Sequence, residues 1–135
     1  MKIYIDNNIT LDALLGRQPF SLAAEKILVA CADLHQGCLS VNSLTDIFYV
    51  IHKFTDAQSA KTHTKKLMEL MEIISVNEED CINALEFHID DFEDALVIVC
   101  AQKARADYIV TRDEKMLLMK STVPIISPEK LINIL

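Results

Sequence analysis

The segment Lys2-Ile3-Tyr4-Ile5-Asp6-Asn7-Asn8 decides how the rest of the chain is interpreted. Its first four residues have strand character and lead directly into an acid and two amides, after which helical spacing begins at Ile9. An acid at the end of a buried strand costs free energy unless its charge is compensated. In a parallel α/β sheet that end of a strand is where ligands bind. Asp6 is therefore a candidate site residue, since Asn8 alone could cap the helix that follows.

The composition is typical of one folded domain, which we place at residues 1–135. The chain is 51% hydrophobic and contains only 2 Gly and 3 Pro, so we expect short loops and many helices. The longest apolar run, 95–101, is far too short to span a membrane. Asp6 interrupts any signal-peptide pattern, and the 4 Cys show no C-x-x-C spacing. We therefore expect a cytoplasmic protein with free thiols and no membrane segment.

The net charge of −7 argues against a general nucleic-acid binder, which usually has a basic surface. Carboxylates gathered in a metal site would, however, add to this negative charge while the bound cation offsets it locally. The charge therefore lowers the expectation of nucleic-acid binding without excluding it.

Short apolar strands alternate with helices along the chain. Strands are predicted at 2–5, 38–41, 72–76, 108–110 and 123–126, the last at a sheet edge because it contains proline. Helices are predicted at 9–15, 21–34, 57–71, 78–87, 91–104, 113–119 and from 128, with a further helix capped by Asn42 or Ser43. Gly37 is expected to end the second helix and Asn77 to cap a later one. This alternation predicts a mostly parallel sheet of four to five strands with helices on both faces.

Four acids occupy comparable positions after strands or in the first turns of helices: Asp6, Asp46, Asp94 and Asp113. In a parallel sheet these positions meet at one edge, and Asp91 can share a helix face with Asp94. Several carboxylates at one point stay ionised only if a cation compensates them. Oxygen ligands suit Mg²⁺ or Mn²⁺, which commonly serve phosphodiester hydrolysis.

A structural explanation is also open for most of these acids. The segment 43–46 and the segment 91–94 both have the form of a capping box, and Asp113 could cap its own helix. Taken singly, each of these acids fits a cap better than a ligand. Their coincidence at one predicted edge is what favours a site.

With these motifs in place, the chain resembles the PIN-domain family of metal-dependent ribonucleases, which includes the toxins of VapBC-type toxin–antitoxin pairs. The resemblance covers nearly the whole chain and depends on the segments 5–17, 43–49, 91–96, 106–113 and 124–129. It implies a three-layer α/β/α fold in which the four acids ligate one or two Mg²⁺ or Mn²⁺ ions, supported by Asp91, Asn8 and Thr111. This chain differs from the family at two positions. Asp46 stands where glutamate is usual, and Asn7 stands where a small residue or threonine is usual.

The basic residues best placed to contact RNA are Arg17, Arg112 and Lys115, each near a candidate ligand in sequence. Three further lysines on one predicted helix, at positions 61, 65 and 66, form either a solvated face or a phosphate-contacting rim.

We therefore expect a Mg²⁺- or Mn²⁺-dependent endoribonuclease. The resemblance further implies a toxin with an antitoxin partner, in the form of a homodimer. One alternative is a PIN-like module that binds RNA or protein without cutting. A second is a phosphatase of the haloacid dehalogenase type, because 6–10 partly matches its D-x-D-x-T loop, although the second aspartate is absent.

Overall fold

Five short strands form one sheet in which every neighbouring pair is parallel. The computed structural model describes residues 1–135. The strands are β1 Lys2–Ile5, β2 Gln36–Ser40, β3 Glu72–Ile74, β4 Tyr108–Val110 and β5 Ile125–Ile126. Their order in the sheet is β3-β2-β1-β4-β5, so β1 is central. The predicted sheet of four to five strands is confirmed, with β5 at an edge.

Eight helices connect and cover the strands. They are α1 Asn7–Leu15, α2 Ser21–Asp33, α3 Val41–Phe54, α4 Ala57–Leu70, α5 Glu78–Leu85, α6 Phe92–Lys103, α7 Glu114–Leu117 and α8 Pro128–Ile132. None of them is both long and apolar enough to cross a bilayer.

The sheet separates two hydrophobic cores, because successive side chains of a strand point to opposite faces. Ile3 and Ile5 of β1 pack in one core with residues of α1, α2, α3, α4 and α8. Tyr4, between them, packs in the other core with residues of α5 and α6. This arrangement confirms the predicted three-layer α/β/α architecture. All four cysteines are free thiols, as expected.

Three local predictions were wrong. α1 begins at Asn7 rather than Ile9, and its cap is Asp6 rather than Asn8. α3 is capped by Ser40, whose hydroxyl accepts the N–H of Ser43, so the helix starts before the predicted cap at Asn42 or Ser43. The capping choice depends on backbone direction at the end of β1 and β2, which composition does not reveal.

Gly37 does not end α2 but lies inside β2. A Cβ atom there would collide with Met71 Sδ and would lie 3.0 Å from Cys31 Cβ and 3.1 Å from Ile5 Cδ1. The residue is glycine because α2 and the end of α4 pack directly against the strand. The helix ends earlier, at Asp33.

Candidate active site

One edge of the sheet collects the residues that follow its three inner strands. Asp6 follows β1, α3 follows β2, and the segment 111–113 follows β4. β1 lies between β2 and β4, so these three segments are neighbours. α6 precedes β4 and runs back along the sheet, which brings its first turn to the same edge. The topology therefore places the four predicted acids at one end of the sheet.

Asp6 is held by contacts to both of its carboxylate oxygens. The N–H of Asn7 donates to Oδ1 at 2.9 Å, and the hydroxyl of Thr111 donates to Oδ2 at 2.7 Å. Thr111 is fully buried, and its Oγ1 also accepts the N–H of Asp113 at 3.1 Å. Thr111, which the sequence suggested as a supporting residue, thus links two of the four acids.

The acids affect one another's protonation. Burial raises the pKa of Asp6, and the negative charge of Asp113 raises it further, while the hydrogen bonds from Thr111 and Asn7 and the charge of Arg112 oppose the increase. Burial also raises the pKa of Asp94, with further contributions from the charges of Asp91, Asp113 and Asp6. These mutual effects place Asp6, Asp94 and Asp113 in one electrostatic cluster.

Asp91 and Asp94 have different roles at the start of α6. Asp91 is the N-cap, and its Oδ1 accepts the N–H of Asp94 at 3.1 Å. The carboxylate of Asp94 accepts no hydrogen bond from any protein donor. The structural explanation is therefore correct for Asp91, whereas Asp94 remains available to a ligand. Asp113 also caps a helix, since its Oδ1 accepts the N–H of Lys115 at 2.9 Å.

Glu93 is a member of this cluster that sequence reasoning missed. Partial desolvation raises the pKa of Glu93, and the negative charge of Asp46 raises it further, followed by the charges of Asp91 and Asp6. Asp46 itself lies in the second turn of α3 and is exposed. Glu93 directly precedes Asp94 in α6, and this adjacency was the only signal in the sequence.

Asp12 is a second missed residue, and it pairs with basic residues that were expected to contact RNA. Asp12 has no exposed surface. Arg112 Nε donates to its Oδ2 at 2.6 Å and Arg112 Nη2 to its Oδ1 at 3.0 Å, while Arg17 Nη1 lies 3.8 Å from Oδ1. The hydrogen bonds that the Arg112 guanidinium donates to Asp12 raise the pKa of Arg112 above its ordinary value. An acid inside the apolar stretch of α1 was the available signal, but its partner is 100 residues away.

The remaining basic residues differ in their relation to the acids. Lys115 lies in α7, which Asp113 caps, and its positive charge opposes the increase in the pKa of Asp94. The lysines on α4 are exposed and form no salt bridge with any of the site acids. Of these, Lys66 pairs with Glu69 at 3.9 Å.

The donor types at this edge fit a hard divalent cation. They are carboxylate oxygens, with the buried amide oxygen of Asn8 in the first turn of α1 lacking any hydrogen-bond partner. The side chains as they stand form no group of three or more acids, histidines or cysteines arranged around one ion. The residues therefore match the chemistry of a magnesium or manganese site.

The chain also matches a known protein family. The family model described as PIN domain matches residues 2–115, which is most of the chain. None of the curated protein sequences compared with the chain gives a significant match.

Several solved structures share the fold. VapC20 of Mycobacterium tuberculosis, a sarcin–ricin-loop-cleaving toxin, superposes with a TM-score of 0.71 at 12% identity, covering 84% of this chain and 92% of that one. VapBC2 of Rickettsia felis bound to a promoter DNA fragment gives 0.70 at 16% identity, with coverage of 94% and 98%. A toxin–antitoxin complex of Klebsiella pneumoniae gives 0.70 at 21% identity, with coverage of 93% and 97%. At these identities the similarity establishes the fold.

Proposed function

The chain belongs to the PIN-domain family, and we propose that it is a Mg²⁺- or Mn²⁺-dependent endoribonuclease. The observation that supports this most directly is the convergence of Asp6 and Asp113 on the hydroxyl of Thr111, at the sheet edge to which the first turn of α6 also brings Asp94. Burying several carboxylates together is costly in the absence of a cation. A fold that nevertheless gathers them at the ligand-binding edge of its sheet is suited to hold one.

In this proposal the carboxylates bind the metal and the surrounding groups keep them in place. A bound Mg²⁺ or Mn²⁺ supplies a water of lowered pKa and stabilises negative charge on the phosphate oxygens. Thr111 orients Asp6 and ties it to the backbone of Asp113. Asn8 offers a neutral oxygen from the first turn of α1. No side chain of the cluster needs to act as a nucleophile.

Asp46 and Glu93 form a further part of the proposed site. Asp46 is one methylene shorter than the glutamate usual at this position, so its carboxylate reaches about 1.5 Å less far. The negative charge of Asp46 is among the causes that raise the pKa of Glu93, so the two carboxyl groups interact. We propose that the two together supply the negative charge and the oxygen atoms that a single glutamate supplies elsewhere.

The proposed substrate is RNA, bound through its phosphates. Lys115 lies near Asp94, and Arg17 lies at 3.8 Å from Asp12, beyond hydrogen-bonding distance. Both are partly free to contact a phosphate. Phosphate contacts matter in this chain because its net charge of −7 otherwise repels nucleic acid.

We further propose that the protein is a cytoplasmic toxin, neutralised by an antitoxin and active as a homodimer. Its fold is that of proteins solved as toxin–antitoxin complexes. Large apolar side chains are exposed on α3, among them Tyr49 and Phe54, each 66% accessible. Such side chains are typical of surfaces that are covered by another chain.

A non-catalytic RNA- or protein-binding module is the second candidate. The specific observation in its favour is the exposed, shortened Asp46, because a weaker ligand lowers metal affinity while leaving the rest of the surface intact.

Cleavage assays distinguish the two functions. Purified protein is incubated with structured and unstructured RNA, with Mg²⁺, with Mn²⁺ and with a chelator. Asp94→Asn is compared with Asp33→Asn, which makes the same charge change on an exposed position of α2. We expect metal-dependent cleavage that the chelator and Asp94→Asn abolish and that Asp33→Asn leaves unchanged. Equal cleavage in the chelator would overturn the nuclease proposal, and RNA binding without cleavage would support the module.

A further inference from the structure

Asp12 is the most deeply buried charged residue of the chain. It lies near the middle of α1 with no exposed surface, and its two oxygens take two parallel hydrogen bonds from Arg112. A guanidinium that meets a carboxylate in this two-pronged manner has a defined position and orientation, which a single point charge does not give. The pair therefore joins α1 to the segment after β4 at a fixed geometry.

Arg112 is also held from its other side. The guanidinium carbon lies 4.0 Å from the centre of the Phe20 ring, a distance typical of a cation stacked on an aromatic face. Two of its nitrogens are used by Asp12, and one of its faces is covered by Phe20. Nη1 makes no hydrogen bond and the side chain is 32% exposed, so what these contacts restrict is the position and orientation of the guanidinium.

The neighbours of Arg112 in sequence are both parts of the candidate site. Thr111 donates to Asp6, and Asp113 is one of the four acids. The segment 111–113 belongs to no helix or strand. Backbone hydrogen bonds hold its two ends, since the N–H of Thr111 donates to Ile126 O at 3.1 Å and Asp113 O accepts the N–H of Leu117 at 3.0 Å. Between them, the side chain of Arg112 adds a charged, two-pronged bond to the buried Asp12, which ties this segment to α1.

We propose that Asp12 is a positioning residue, which acts through Arg112 to hold Thr111 and Asp113 against Asp6. This inference rests on the proposed function, since the site being positioned is the metal site. Arg112 is then a structural support of that site rather than a phosphate contact. RNA binding by side chains falls to Lys115 and Arg17 instead.

The test compares two arginines that flank the same carboxylate. Arg112→Lys keeps the positive charge and removes the two-pronged geometry, whereas Arg17→Ala removes a charge that makes only a long contact. Each purified variant is checked for a folded thermal transition. Three quantities are measured: the Mn²⁺ dissociation constant by calorimetry, kcat and KM for RNA cleavage, and the salt dependence of RNA binding in the presence of chelator.

We expect Arg112→Lys to weaken Mn²⁺ binding by about 10- to 100-fold, the usual effect of losing a group that orients metal ligands. Its kcat should fall with little change in KM or in the salt dependence. Arg17→Ala should raise KM and reduce the salt slope by about 0.7, the value for one phosphate contact on a single strand, while leaving Mn²⁺ binding unchanged. Asp12→Asn should match Arg112→Lys. If Asp12→Asn does not fold, Arg112→Lys alone tests the inference.

Two results would overturn the inference. Wild-type Mn²⁺ affinity in Arg112→Lys, together with a raised KM and a reduced salt slope, would make Arg112 a phosphate contact. Wild-type protein that neither binds Mn²⁺ nor cleaves RNA would overturn the proposed function and this inference with it. The calorimetry separates these cases, because it does not depend on cleavage.

Discussion

The hydroxyl of Thr111 donates a hydrogen bond of 2.7 Å to Asp6 Oδ2, and the same oxygen accepts the backbone N–H of Asp113 at 3.1 Å. The contact bridges the ends of two adjacent strands, since Ile5 of β1 is paired with Val110 of β4. A single buried hydroxyl thus sets the relative position of two candidate metal ligands.

The first prediction concerns this hydroxyl. Thr111→Val keeps the shape of the side chain and removes both hydrogen bonds, so we expect a loss of about 1.5–3 kcal/mol in the free energy of unfolding. Mn²⁺ binding should weaken as well, whereas Thr111→Ser should keep most of it. Urea denaturation and calorimetry measure these effects. Thr62→Val, on an exposed threonine of α4, is the control and should cost less than about 0.5 kcal/mol. Equal Mn²⁺ affinity in the Val and Ser variants would contradict the prediction.

The second prediction is a pH dependence of stability in metal-free protein. The pKa values of Asp6 and Asp94 are raised in the folded state, so folding takes up protons. The stability contribution of these two groups therefore decreases as pH rises from about 3.9, the pKa of unfolded aspartate, through the raised folded values. We expect Asp94→Asn to flatten this part of the pH profile and to stabilise the metal-free protein at pH 7. A steeper dependence of stability on pH in Asp94→Asn, measured by thermal denaturation, would contradict this prediction.

Metal should reverse this destabilisation, which gives the third prediction. At pH 7, Mn²⁺ at about 100 times its dissociation constant adds about 2.7 kcal/mol, which corresponds to an increase in Tm on the order of 10 °C. The increase should be smaller at pH 5, where Mn²⁺ must displace protons from the carboxylates. Samples without added Mn²⁺ that have been treated with chelator provide the baseline. An increase in Tm that is the same at both pH values would show that the ion binds elsewhere.

The fourth prediction tests whether Glu93 and Asp46 act as a pair. Glu93→Gln and Asp46→Asn should each weaken Mn²⁺ binding. The double variant should lose less than the sum of the two free-energy changes, because the charge of each partner acts on the other. Glu25→Gln, on an exposed position of α2, is the matched control. Additive losses in the double variant would mean that the two acids act independently.

The fifth prediction concerns the packing around Gly37. Gly37→Ala adds a methyl group that meets Met71 Sδ, Cys31 Cβ and Ile5 Cδ1, so we expect a loss of about 1–3 kcal/mol in the free energy of unfolding. Replacing Met71 with Ala in the same chain removes only one of these clashes and should restore little. Urea denaturation measures both variants. A stable Gly37→Ala protein would show that β2 can move away from α2.

The sequence was sufficient for the fold class and for the position of most acids. Alternating apolar strands and amphipathic helices predicted the three-layer arrangement, because these patterns repeat within a few residues and reflect burial directly. Two of the acids, Asp91 and Asp113, were also correctly suspected of capping helices. The suspected capping box at 43–46 was wrong, because Ser40 caps α3. Asp6 was the exception, since it was expected to leave capping to Asn8 and instead caps α1 while facing Thr111.

What the sequence could not supply was the partner of each charge. The bond between Asp12 and Arg112 joins residues 100 positions apart, and it exists because β1 and β4 are neighbours in the sheet. The contact between Asp46 and Glu93 similarly depends on how α3 and α6 approach the same edge. Local patterns determine which residues are buried, because burial follows the period of the strand or helix. The order of the strands determines which buried charges meet, because it depends on hydrogen bonding and packing over the whole chain. The sequence thus established a parallel sheet with acids at one edge, and only the tertiary structure decided that Arg112 pairs with Asp12.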